Sequence, residues 1–126
     1  IEQTGDDYYA KIYAFGDDSD VWITQEGTGD HNAYVLNYPN ADNNSTRLIQ
    51  KGSGNKDADI YFYSGADDND VNLTQQGNGA HGSNMKFYVD HYDVTVIQKG
   101  STNKGYTATF NCTSNCNKVI TITQQD

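Results

Sequence analysis

The sequence has 126 residues, 35% of them hydrophobic, and a formal net charge of −9 at pH 7. The negative charge argues against nucleic acid as a partner, because phosphate binding needs clusters of Lys and Arg. No apolar run reaches the ~18–20 residues that a membrane-spanning helix needs. Ten Tyr, four Phe and one Trp are more aromatic residues than a disordered chain usually carries. The length predicts one folded domain over residues 1–126.

One short phrase recurs along the chain: an aliphatic residue, a spacer, Gln, a second spacer and Gly. The chain opens on Ile1-Glu2-Gln3-Thr4-Gly5, and the phrase returns around Gln25, Gln50, Gln75 and Gln98 before Ile122-Thr123-Gln124. Successive glutamines lie 22, 25, 25, 23 and 26 positions apart. A near-constant period of this size is typical of repeat proteins, in which each repeat stacks on its neighbours. It predicts repeats at approximately 3–24, 25–49, 50–74, 75–97 and 98–124.

Each repeat contains two segments with period-two alternation, which predicts two strands that each bury one face. The first segment ends in Gln, and its inward residues are, by repeat, Val21, Ile23, Gln25; Thr46, Leu48, Gln50; Val71, Leu73, Gln75; Val94, Val96, Gln98; and Ile120, Ile122, Gln124. The second segment follows the Gly, and its inward residues are Ala10, Ile12, Ala14; Ala33, Val35, Asn37; Ala58, Ile60, Phe62; Ser83, Met85, Phe87; and Tyr106, Ala108, Phe110. Similar residues therefore recur at the same phase.

An outward aromatic column accompanies the second segment and consists of Phe15, Tyr38, Tyr63 and Tyr88. Such a column is either a binding surface or a set of rings that stack on one another between repeats. The sequence leaves both interpretations open.

Two kinds of turn separate the strands. Gly27, Gly52, Gly77 and Gly100 begin a glycine-rich corner, where glycine supplies a positive φ without steric cost. The other turn is a polar arc rich in Asp and Asn. Clustered Asp oxygens suit calcium, but the spacing of the acids differs between repeats, so the sequence favours solvated turn residues. No metal or other cofactor is predicted.

The two cysteines, Cys112 and Cys116, are separated by three residues. Two cysteines do not complete a zinc site, and this spacing differs from the C-x-x-C redox motif. The spacing favours a disulfide that closes a small loop, and such a bond indicates a location outside the cytosol.

These elements predict an all-β fold: a β-solenoid of about five strand–turn–strand rungs, stacked in parallel and in register ~4.8 Å apart, as in a cross-β fibre. A buried Gln is unfavourable unless its amide is paired. Stacking answers this requirement, because Gln25, Gln50, Gln75, Gln98 and Gln124 can each hydrogen-bond the glutamine one rung away. The recurring Gln is therefore predicted to form an amide ladder.

The string Gln50-x-Gly52-x-Gly54-Asn55, followed by Ala58-x-Ile60, resembles the curlin repeat, as does Asn69-x-Val71-x-Leu73-x-Gln75. That repeat belongs to the major subunit and the nucleator of curli, the amyloid fibres of bacterial biofilms. The resemblance covers the whole chain. It implies a secreted subunit that polymerises into extracellular fibres, with copies of itself, a nucleator and an outer-membrane secretion channel as partners.

The expected function is accordingly that of a structural fibre subunit. Because the chain begins and ends on the same phrase, Ile1 and Gln3 of one copy could stack on Ile122 and Gln124 of another. The alternative is a surface adhesin that uses the outward tyrosines. An enzyme is not predicted, because the acids concentrate in turns and nothing near the outward pair Asp57 and Asp59 completes a catalytic site.

Overall fold

The computed structural model describes residues 1–40, 42–63, 68–88, 91–100, 104–110 and 117–126. The described part contains nine β-strands and no helix, and so no helix that could span a membrane. The strands are β1 (Glu2–Ala14), β2 (Asp20–Asn37), β3 (Ser45–Gly52), β4 (Lys56–Phe62), β5 (Asn69–Gln76), β6 (His81–Phe87), β7 (His91–Lys99), β8 (Lys104–Phe110) and β9 (Asn117–Gln125).

All strand pairs are parallel and join equivalent positions of successive repeats. One stack follows the order β2, β3, β5, β7 and β9, and the other follows β2, β4, β6 and β8. The long strands β1 and β2 continue through the glycine corner, so each contributes to both stacks, and β1 pairs with β2 along most of its length. The predicted all-β solenoid with parallel, in-register rungs is confirmed.

The core lies between the two stacks and is formed by the predicted inward positions. Leu48 and Leu73 from the first stack and Ile60 and Met85 from the second are completely or almost completely buried. The rings of Phe62 and Phe87 stack with centroids 5.2 Å apart. Burying one such side chain stabilises the fold by about 1.5–3 kcal/mol, so the stacked coils form a hydrophobic core although only 35% of the residues are hydrophobic.

Glycine is required at the corner because the backbone of one coil presses on the next. Gly52 has a φ of 121°, and a Cβ added there would overlap the carbonyl oxygen of Gly27. The same relation holds between Gly77 and Gly52. The corner residues therefore serve two needs at once, the positive φ and the close approach of neighbouring backbones.

Polar side chains hold the turns by bonding to the backbone of a neighbouring coil. In the arc, Oδ1 of Asn44 accepts a hydrogen bond from the Ser19 amide, and Oδ1 of Asn69 accepts one from the Asn44 amide. At the corner, Oδ1 of Asp30 accepts from the Asn55 amide at 2.9 Å. The described residues contain no group of three or more His, Cys, Asp or Glu side chains that could hold a metal ion.

Candidate functional site

The recurring glutamines form a continuous ladder inside the molecule. Their side chains stand in register from Gln3 to Gln124. Each Nε2 donates to the Oε1 of the glutamine one coil nearer the N-terminus, at 2.7–3.0 Å, along the series Gln124, Gln98, Gln75, Gln50, Gln25 and Gln3. Gln25, Gln50, Gln75 and Gln98 are completely buried.

The four completely buried glutamines also join the two strands of their own coils. Nε2 of Gln50 lies 3.0 Å from the carbonyl oxygen of Asp57, and Nε2 of Gln75 lies 2.7 Å from that of Gly82. In both coils the acceptor follows the glutamine by seven residues, because the glycine corner turns the chain back within that distance. The amide thus fixes both the contact between coils and the shape of the corner, and its buried polar groups are paired.

The ladder has a direction, and the two ends of the described solenoid therefore differ. The first glutamine, Gln3, directs its Nε2 only to the carbonyl oxygen of Tyr9, at 3.4 Å. At the other end, Oε1 of Gln124 accepts no hydrogen bond from any described residue. One end thus presents amide hydrogens and the other presents an amide oxygen.

Both end strands also have one open side. In the described part of the chain, β1 pairs only with β2, and β9 pairs only with β7. The inward side chains of β9 are consequently uncovered, with Ile120 36% and Ile122 44% exposed, and Ile1 is 52% exposed at the other end. The four residues predicted as polymer ends, Ile1, Gln3, Ile122 and Gln124, all lie on these two open faces.

A second buried polar column was not predicted from the sequence. It stands at the start of the second strand in each coil, and its members in register are Tyr8, His31, Lys56, His81 and Lys104. His31, Lys56 and His81 are at most 1% exposed. They lie two residues before the inward Ala33, Ala58 and Ser83, so extending the alternation by one step would have placed them inside.

Burial shifts the pKa values of three basic groups in this column. It lowers the pKa values of His31 and His81, and the neighbouring Lys56 cation lowers both further. Burial also lowers the pKa of Lys56 itself. These directions follow from the loss of hydration of a charged form in the interior.

The predicted aromatic column lies on the outer surface and is stacked. The rings of Phe15 and Tyr38 have centroids 4.2 Å apart, and those of Tyr63 and Tyr88 are 6.2 Å apart. A second set of tyrosines extends this surface, and its members are Tyr13, Tyr34 and Tyr61. The sequence does not reveal this second set, because Lys11, Asp59 and Lys86 occupy the same register positions in other repeats.

The outward carboxylates Asp57 and Asp59 line a shallow groove of about 420 Å³ together with Asn32 and Asn84. Burial raises the pKa of Asp57, and the carboxylates of Asp59 and Asp30 raise it further. The other lining residues offer amides and a threonine hydroxyl, a set that can hydrogen-bond a polar ligand. The predicted disulfide between Cys112 and Cys116 lies outside the described residues.

Comparison with known proteins gives no relative: no family model, no curated protein and no solved structure matches the chain. The resemblance to the curlin repeat therefore rests on the sequence pattern quoted above.

Proposed function

We propose that this chain is a structural subunit of an extracellular curli-like fibre, in which copies stack head to tail and continue one solenoid. The observation that carries the proposal is the one-way glutamine ladder between two open faces. Oε1 of Gln124 in one copy would accept from Nε2 of Gln3 in the next, at the spacing already used five times within the chain.

The direction of the ladder supports head-to-tail contact over the two alternatives. Two copies that met through their Gln3 faces would oppose amide hydrogens, and two that met through Gln124 would oppose amide oxygens. Only the polar arrangement pairs a donor with an acceptor. Head-to-tail contact between identical subunits does not close on itself when the rotation is small, and it then generates a filament.

Burial of apolar surface supports the same contact. Continued in register, the junction would place Ile122, which is 44% exposed in the single chain, against Ile1 of the second copy, which is 52% exposed. Full burial of one such side chain contributes about 1.5–3 kcal/mol. Open strand edges that remain unprotected are sites of intermolecular pairing.

The surface charge fits a soluble fibre of the biofilm matrix. The net charge is −9, and acidic residues of the polar arcs, such as Asp17 and Asp18, are exposed. Like charges on the flanks of stacked copies oppose lateral collapse without crossing the junction. The proposed role is structural and assigns no catalysis to the chain.

The first test is assembly of the purified chain. The chain is expected to form thioflavin-binding filaments that give a cross-β reflection at ~4.8 Å. Gln124→Ala should slow elongation strongly, because it removes the acceptor at the junction, whereas Gln125→Ala, which changes the exposed neighbour, should not. A chain that stays monomeric for days at high concentration would contradict the proposal.

The second test is the polarity of the contact. In head-to-tail stacking, Gln3→Ala and Gln124→Ala remove the two sides of one hydrogen bond, so the double variant should elongate no more slowly than the worse single variant. If copies meet through equal faces instead, a filament needs both kinds of contact in alternation, so each substitution weakens a different contact and the effects of the two should add in the double variant.

A second candidate function is adhesion through the aromatic column, which remains accessible on the side of a stack. Tyr63 and Tyr88 are stacked and exposed to solvent, and exposed aromatic surfaces of this kind mark interaction sites. Preformed fibres carrying Tyr38→Ala, Tyr63→Ala and Tyr88→Ala together should lose adhesion to surfaces. The control is Trp22→Ala, which removes an exposed ring from the first strand stack; equal loss in both would argue against the column.

A further inference from the structure

The buried basic column contains a lysine that lies between two histidines and forms no ion pair with a described acid. Lys56 lies in register with His31 on one side and His81 on the other. Its Nζ donates to the carbonyl oxygens of Gly54 at 2.8 Å and Asn78 at 3.0 Å. None of the ion pairs in the described part of the chain includes Lys56. The buried cation is thus bonded directly to backbone carbonyls, and the one acid that acts on it is the exposed Asp30. This is an unfavourable place for a second positive charge.

His31 is held in a site suited to the neutral ring. It stacks on Tyr8, with centroids 5.4 Å apart, and Lys56 lies on its other side. Both ring nitrogens are buried and lack a hydrogen-bond partner. Protonation would add a second N–H without an acceptor and a charge beside Lys56. The acids that act on this ring are Asp7 and Asp30, and both of them are exposed at the corner.

His81 has a similar environment one coil beyond Lys56. Its Nε2 lies 3.1 Å from the carbonyl oxygen of Gly77, and its Nδ1 is buried without a partner. The charged groups that act on it are the cations Lys56 and Lys104, from the strands on either side. The two histidines therefore face at least one cation each within a buried column.

We propose that this column is an acid-sensitive device: protonation of His31 and His81 beside Lys56 opens the glycine corner, so that the folded coil is lost as the pH falls. The consequence for assembly, namely that acid also releases subunits from the fibre, rests on the proposed function. The loss of the fold does not.

The sign and the pH window follow from the lowered histidine pKa values. The unfolded chain keeps histidine pKa values near about 6.5, whereas in the folded chain burial holds them lower. The unfolded state thus binds more protons below that pH. Stability is fully present above about pH 6.5 and falls as the pH drops, with the folded-to-unfolded ratio changing by up to about tenfold per pH unit for each histidine.

Two carboxyl groups act in the opposite direction at lower pH. Burial raises the pKa values of Asp57 and Asp70, and neighbouring carboxylates raise them further. These groups therefore take up protons more readily in the folded chain, which favours folding as they protonate. Their reference pKa is 3.8, so the histidine effect is best measured between about pH 7 and pH 5.

The test is denaturant unfolding of the single chain, kept below the concentration of assembly, between pH 7.5 and 5. Wild type is expected to lose up to about a hundredfold per pH unit in its folded-to-unfolded ratio, and His31→Phe with His81→Phe should remove most of this loss. Phe suits the column because Tyr8 already places a ring there. The matched control is His91→Gln, outside the column and 3.7 Å from Asp68, which should retain the loss. A double variant as acid-sensitive as wild type would overturn the proposal.

Ring-proton NMR of wild type provides a second measurement if the double variant does not fold. The chain has three histidines, so the resonances can be assigned by single substitutions. His31 and His81 are expected to stay unprotonated until the cooperative loss of the fold; titration of both rings in the folded chain near pH 6.5 would overturn the proposal. Acid-labile monomers that never form fibres would contradict the proposed function alone.

Discussion

Two polar columns run through the interior of this solenoid, side by side at the glycine corner, and they solve the same problem differently. In the glutamine column every amide pairs with the amide of the next coil. In the basic column Lys56 and the histidines pair with backbone carbonyls or, at three ring nitrogens, with nothing. The glutamine column therefore supplies hydrogen-bond partners for its own side chains, whereas the basic column relies on backbone groups around it.

The difference shows which side chains can be repeated inside a stack of coils. A glutamine amide carries both donors and an acceptor, so identical copies satisfy one another in any number. A lysine has only donors, and a neutral imidazole has one of each in fixed directions. Repetition thus stabilises the glutamine column, whereas each further basic residue in the second column adds a cost of burial. The stability of the second column therefore depends on the protonation of its residues, and that of the glutamine column does not.

The largest expected effect comes from the corner that joins the columns. Gly52 lies between Gln50 and Lys56 in sequence, and a Cβ there would overlap the Gly27 carbonyl oxygen at a φ of 121°. Gly52→Ala should cost more than about 4 kcal/mol in the free energy of unfolding and disrupt both columns, as judged by circular dichroism and denaturant unfolding.

Gly16→Ala provides the control for that substitution, because an added Cβ at Gly16 meets no atom within 4 Å. It should change the free energy of unfolding by less than about 0.5 kcal/mol. Equal effects at Gly16 and Gly52 would show that the loss of glycine flexibility, rather than close backbone contact, determines the outcome.

The next largest effect concerns the glutamine column alone. Gln75→Ala removes the donor to Gln50 and the acceptor of Gln98, and it also leaves the Gly82 carbonyl without its amide partner. Because each buried polar group left unpaired costs about 1–3 kcal/mol, we expect a loss of about 3–5 kcal/mol in denaturant unfolding. Gln76→Ala, at the exposed next position, should lose less than about 0.5 kcal/mol; similar losses at both would refute the ladder as a major contribution.

The sequence predicted the glutamine column because the same residue returns at the same phase in every repeat. Alternation of apolar residues placed the strands and their inward faces, and the recurring Gly placed the corner. The basic column had no such signal, since its successive members Tyr8, His31, Lys56 and His81 differ in type from one coil to the next although they share one register. A column of identical residues can be predicted from the sequence, because the same residue recurs at the same position of each repeat. A column of different residues shows no such recurrence and is found only in the structure.

Asn37 shows the limit of predicting a ladder from position alone. It was predicted to face inward, and it is completely buried. Its column neighbours are Ala14 and Phe62, neither of which has a side-chain polar atom, so both amide atoms of Asn37 lack a hydrogen-bond partner. A buried inward position alone thus does not provide hydrogen bonds for a side-chain amide. The glutamines obtain them from an identical residue in the neighbouring coil.

A smaller effect, of opposite sign, is expected in the basic column. Lys56→Met keeps the apolar stem and removes the buried charge, so it should stabilise the fold by about 1 kcal/mol at pH 7.5. Removal of the Lys56 cation also removes a cause that lowers the pKa values of His31 and His81, and the acid-induced loss of stability should become shallower. A destabilisation as large as that of Gln75→Ala would show that both columns are equally required.

The smallest effect separates the buried lysine from an exposed one in the same coil. Lys51 lies 3.1 Å from Glu26, and both side chains are 46% exposed. Because such pairs contribute little and are screened by salt, Lys51→Met should lose less than about 0.5 kcal/mol in denaturant unfolding, and the loss should vanish at 1 M salt. The Lys56→Met gain should persist in salt, since the interior excludes ions. If both substitutions respond to salt alike, burial does not distinguish the two lysines, and the contrast between the columns reduces to hydrogen bonding.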